Sequence, residues 1–219
     1  MQTHHTRRRP LWSALGSASA TIAAIVLAIG CSTPTTETQV WQSPSYAAGP
    51  MRNIAVFGGR VDETARRTLE DAFVSALAAY GVHATPSYAV FPQSRVPNDQ
   101  SAIRATLEQE GYDGALVATL EGVTEQVLIQ PGVAWAGGFY GAYWGPGAPV
   151  YAQTDRYVKF ETSLWSPESG NMVWSAITQT ANPSSGQDFV SSLTGTVVPS
   201  LAKRGLIPPK QGEHISLVR

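Results

Sequence analysis

The sequence predicts an α/β fold. It reads as a single mixed sheet of about five strands in the order β-α-β-α-β-β-β-α, with covering helices. Three observations carry this. Two stretches of helical periodicity separate the first three β-like runs, which calls for parallel crossovers. A period-two segment, Arg156 to Trp165, is followed by a turn and a second β-like run, which makes a hairpin. The last run repeats Phe189, Leu193, Val197 and Leu201 every four residues, as one helix face does.

The elements follow in order. Asn53 to Gly58 is a β-like run closing on a glycine pair, Gly58-Gly59. Asp62 is placed to cap a helix, with Glu63 in its first turn. Ala65, Leu69, Phe73, Ala76, Leu77 and Tyr80 form its apolar stripe; Arg66, Arg67, Glu70 and Asp71 are expected on the solvent side. Gly81 stops this helix, and Val82 to Tyr88 reads as a second strand interrupted by Pro86. Asn98 or Asp99 caps a second helix, Ile103 and Leu107 share one face of it, and Gly111 ends it. Gly114 to Leu120 is continuously apolar, as expected of a central strand buried on both faces, and runs on through Thr124 towards Ile129. Leu116 and Val117 then point to opposite faces. In the hairpin, Val158, Phe160, Thr162 and Leu164 take one face; Tyr157, Lys159, Glu161 and Ser163 take the other. Ser166 to Gly170 is the turn and Met172 to Thr178 the partner strand. Pro199 is placed to kink the last helix.

The remainder divides at composition shifts. Residues 1–30 carry Arg7-Arg8-Arg9, then an apolar run to Gly30, the grammar of a secretory signal. Residues 31–50 are rich in Ser, Thr and Pro and read as a flexible tether holding the domain roughly 25 Å from its anchor, a reach that docking of Trp41 and Tyr46 on the domain would shorten. Residues 51–209 form the domain, and 210–219 a loose tail.

The 219 residues carry a formal net charge of −1, and without the three arginines of the signal the rest is near −4. That acidic balance argues against a nucleic-acid partner. Cys31 is the only cysteine, so no disulfide or thiolate metal site is available. His83 and His214 lie far apart, which speaks against zinc. No cofactor motif is present: Phe57-Gly58-Gly59-Arg60 sits between strand and helix but lacks both the Walker lysine and GxGxxG spacing, and reads as a tight turn. No serine elbow accompanies His83, and no catalytic residue is assigned.

Pro131 to Val150 is a Gly- and aromatic-rich flap between two strands. Trp135, Phe139, Tyr140, Tyr143 and Trp144 are candidates for a contact surface, because Trp and Tyr combine an apolar body with a polar tip. Two readings stand. The rings either complete the domain's own core or meet a partner: a protein, a lipid headgroup layer or a glycan. The absence of Lys and Arg from Leu128 to Ala152 weakens an anionic-lipid reading.

Two resemblances add to this. A signal ending on Gly30-Cys31 resembles the lipobox of bacterial lipoproteins, although Ala28 stands where that family has Leu and Leu27 lies one step back. The resemblance implies a Cys31 lipidated on sulfur (palmitate) and on its new amino terminus, with the membrane as partner. The alternative is an uncleaved membrane helix over Leu11 to Ile29. However, Ser13, Ser17, Ser19 and Thr21 dilute it, and Ile22 to Ile29 is shorter than a span. Export by the Sec or the twin-arginine route both stay open. Ser32 follows the cysteine where that family associates Asp with inner-membrane retention, which points to the periplasmic face of the outer membrane.

The strings Asn53–Phe57, Arg66–Asp71, Tyr112–Val117 and Glu168–Ser175 together resemble a group of uncharacterised bacterial envelope lipoproteins with a Gly/Tyr/Trp-rich insertion at this place. That resemblance implies a domain similar to the amino-terminal domain of TolB and to CsgG-like periplasmic domains, which are assembly modules rather than enzymes. The expectation is a lipid-anchored, non-catalytic module with an envelope protein partner. The alternative is an envelope hydrolase or glycan-binding protein with a cleft beneath the flap.

Overall fold

The computed structural model describes residues 34–91, 99–131 and 150–212, with side chains over 34–91, 99–127 and 152–212. Six strands form one mixed sheet: β1 (Thr35–Gln42), β2 (Asn53–Gly59), β3 (His83–Pro86), β4 (Gly114–Pro131), β5 (Val150–Trp165) and β6 (Met172–Ala181). Their order across the sheet is β1-β6-β5-β4-β2-β3. The described helices are α1 (Glu63–Ala78), α2 (Ser87–Val90), α3 (Gln100–Gln109) and α4 (Gly186–Lys203). As expected, β2, β3 and β4 run parallel and the β5–β6 hairpin lies antiparallel beside them.

Three expectations are corrected. The sheet has six strands, in line with the single mixed sheet of about five, but one of them comes from the segment read as a tether. β1 pairs antiparallel with β6 from Thr35↔Thr180 to Gln42↔Trp174. Its Thr35 hydroxyl bonds Ser192 of α4 at 2.7 Å. Polar Thr and Gln at an edge strand face water on one side, so composition hid the pairing. Tyr46, also in that segment, packs against the core. Secondly, the strand expected to reach Tyr88 ends at Pro86, because Ser87 opens α2. Thirdly, Glu70 is fully buried rather than on the solvent side of α1. The tail is docked at its start: the Gln211 amide donates to the Ala79 carbonyl at 3.2 Å. Residues 213–219 lie outside the described residues.

The main core lies between the sheet and α1 with α4. Ile54, Val56, Leu116, Leu164 and Trp174 of the strands meet Phe73, Leu77, Leu193, Val197 and Leu201. Asp62 caps α1 by accepting from the amides of Thr64 and Ala65, and Asp99 caps α3 by accepting from Ser101. Both helices end next to glycines of positive φ, Gly81 and Gly111. α1 approaches β2 so closely that a Cβ on Gly58 would stand 3.0 Å from Arg66 Cγ. That close approach brings Glu70 against the strand end. Its carboxylate accepts from the Gly58 amide (2.9 Å), the Ser87 amide (3.0 Å) and the Ser87 hydroxyl (2.7 Å), and pairs with Arg66 at 3.2 Å. One side chain thus ties β2, α1 and α2 together, which is why a charged residue is stable inside the fold.

Candidate functional site

Among the described residues the opposite face of the sheet is thinly covered. α3 presents only Ile103 and Leu107 to it, over the smaller cluster of Ala55, Leu107 and Ala115. Leu116 is fully buried on the α1 side, whereas its neighbour Val117 is only half-buried, because α3 is too short to cover it. What remains is a cleft of about 760 Å³ between α3, β2, β4 and the β5–β6 turn. Phe57, Ile103, Leu107, Val117 and Trp165 give it an apolar lining.

The polar groups around the cleft are held by neighbours. Arg104 pairs with Glu108 at 2.7 Å and also donates to the Glu168 carbonyl, which joins α3 to the β5–β6 turn. Hydrogen bonds from the Ser101 hydroxyl and amide hold the Asp99 carboxyl below its usual range. The Trp165 indole donates to the Ser163 hydroxyl at 2.9 Å, which orients the ring. Such a site can grip an apolar group edged by polar atoms. The sequence reading placed every one of these apolar residues in its element but did not join them. The available signal was a mismatch: a strand apolar on both faces, Gly114–Leu120, and a covering helix with only two large apolar residues, Ile103 and Leu107.

A second cleft, of about 630 Å³, opens where α1 and α4 begin; Leu120, Val123, Arg156, Val158 and Phe160 are among its lining residues. It lies at the root of a long projection. Beyond Thr124↔Tyr157 the pairing of β4 with β5 continues alone among the described residues to Pro131↔Val150, past the end of β6 at Ala181. Asp155 braces this ribbon. It is 7% exposed and accepts from Gln153 Nε2 (2.9 Å) and Asn182 Nδ2 (3.0 Å), while Asn182 Oδ1 accepts from the Arg156 amide (2.8 Å). Asn182 makes both contacts from a left-handed backbone, φ 47°.

These bonds, from Asn182 first and then Gln153, hold the Asp155 carboxyl below its ordinary value of 3.8. A carboxylate lowered on folding stabilises the protein above its unfolded pKa, and that contribution vanishes as pH falls through the folded value. The melting-temperature gap between the parent and Asp155→Asn should therefore be constant from pH 7 to 5 and shrink below about pH 4. A gap unchanged to pH 2.5 would show that these bonds do not depend on the charge.

The sequence-predicted site residues Cys31, Trp135, Phe139, Tyr140, Tyr143 and Trp144 lie outside the described residues. Among the described residues no group of three metal-ligating side chains occurs, and no helix is long and apolar enough to cross a membrane. His83 is exposed and bonds Asn53 at 3.0 Å.

No family model matches this chain, and no curated protein matches it. Among solved structures it is similar to a PelC dodecamer variant from Paraburkholderia phytofirmans, at 14% identity over 80% of this chain and 100% of that one, with a TM-score of 0.45. It is similar to lipoprotein GNA1162 from Neisseria meningitidis, at 16% identity over 69% and 99% of the chains, with a TM-score of 0.41. It is also similar to a minor lipoprotein from Acinetobacter baumannii, at 12% identity over 73% and 98%, with a TM-score of 0.33. Two of these three neighbours are bacterial lipoproteins by name. The identities and scores are too low to assign a family, a ligand or an assembly to this chain.

Proposed function

We propose that this chain is a lipid-anchored lipoprotein of the bacterial cell envelope, on the periplasmic face of the outer membrane. In this reading it is a non-catalytic interaction or assembly module that docks an apolar anchor of a protein partner in the cleft under α3. The signal-like start and Cys31 support the anchor. One observation carries the docking role: the cleft opens beside Trp165 and the β5–β6 turn, at the end of the sheet away from Thr35, where the chain arrives from Cys31. The alternative, an envelope hydrolase or glycan-binding protein, draws on the same Trp165 as a stacking platform.

A photo-crosslinking residue at Ile103 in intact envelopes tests the reading. A discrete protein adduct is expected, lost when Val117→Trp fills the cleft without lowering the melt by more than a few degrees. Absence of any protein adduct, with saturable binding of envelope glycans to the purified domain, would transfer the site to the alternative.

A further inference from the structure

The ribbon and the start of β1 lie at the same end of the sheet. The register aligns Thr35, Thr180, Val158 and Val123 in one row across four strands. The chain position there is secured: the Ala181 amide donates to the Pro34 carbonyl, and Thr196 Oγ1 donates to the Thr35 carbonyl. From that row β4 runs on to Pro131, about 26 Å at roughly 3.3 Å per residue. Cys31 precedes Thr35 by only four residues, so full extension places it no more than about 14 Å from the row. The other end of β1 is about 23 Å away at the same rise, beyond that reach. A lipid on Cys31 would therefore hold the ribbon end of the sheet within that reach of the membrane, and the ribbon is longer than the link.

We propose that the β4–β5 ribbon rests in the lipid headgroup layer of the membrane that holds Cys31, as a second, non-covalent contact. This rests on the lipid anchor of the proposed function. The surface suits that environment. The register shift between Leu120 and Gly122 puts Val123 in the row of buried Val158, and Val127 follows on the same face. They are 45% and 62% exposed, the two most exposed large apolar residues of β4 among those whose side chains are described. From Gln126 to Pro131 and from Val150 to Thr154 the two strands of the ribbon hold no charged residue, so placing them at the interface desolvates no charge. β2 leaves β4 after Gly59↔Thr119, so among the described residues the outer edge of the ribbon keeps unpaired backbone groups. The hydrated headgroup layer satisfies these and the hydrocarbon core does not, which limits the depth of the contact. The Asp155–Asn182 brace keeps the ribbon projecting.

The test uses the full chain purified from membranes. With Cys31 acylated, Val127→Cys supplies the one free thiol, and Ser169→Cys in the β5–β6 turn is the control at the far end. Each is labelled with an environment-sensitive fluorophore in phosphatidylcholine vesicles carrying a headgroup-region spin-labelled lipid. The label at 127 should emit to the blue of the label at 169 and be quenched several-fold more, with no loss between 0.1 and 1 M salt. Acylated, vesicle-bound protein with both labels equally in water would overturn this inference and leave the anchor standing. Quenching that requires anionic lipid would overturn the uncharged contact. A Cys31 peptide without acyl mass, in protein that does not float with vesicles, would overturn the anchor and the inference together.

Discussion

Glu70→Ala should lower stability by about 3–5 kcal/mol, the range for removing one member of a buried ion pair. Arg66 is not the group that suffers, since it keeps Glu63 at 2.7 Å. The cost falls on the Gly58 amide, the Ser87 amide and the Ser87 hydroxyl, which lose their acceptor inside the fold. Each unsatisfied buried donor costs about 1–3 kcal/mol. Glu70→Gln should rescue little despite its shape. Both carboxylate oxygens accept from backbone amides, so the carboxamide must turn an N–H towards one of those donors. Chemical denaturation of the two variants measures this. A Gln variant as stable as the parent would mean that charge and two-sided acceptance are not what the site requires.

Trp174→Ala is expected to cost about 3–5 kcal/mol, as truncation of a buried aromatic does. Trp174 is fully buried at the centre of the main core, on β6, where it pairs with both Leu164 and Gln42. For a domain of this size the loss should appear as a fall in melting temperature of roughly 10–15 °C. Trp174→Phe separates volume from polarity. The indole nitrogen has no hydrogen-bond partner among the described residues, so the smaller ring forfeits no bond and its cost should be less than half that of Ala. Equal losses in the two variants would show that the indole N–H has an acceptor after all.

Local signals made most of the fold legible in the sequence. Period-two alternation from Val158 to Leu164 placed the correct residues in the core, because in a half-buried strand the face and the residue parity are the same fact. Asp62, Asp99, Gly81 and Gly111 marked helix ends because capping is satisfied within a few residues of chain. The uncharged stretch after Glu125 and the basic start before Cys31 are properties of sequence order alone.

Tertiary structure decided the rest, wherever the partner lies far along the chain. Helical periodicity puts Glu70 only at the flank of the apolar stripe; its burial depends on Gly58 and Ser87 arriving from β2 and α2. Thr35–Gln42 became a strand because β6 offered an open edge some 140 residues away in sequence, not because its residues favour burial. The cleft is likewise an effect of mismatch between elements: α3 is too short for the strands beneath it, and a gap between two correctly read elements has no signature in either of them.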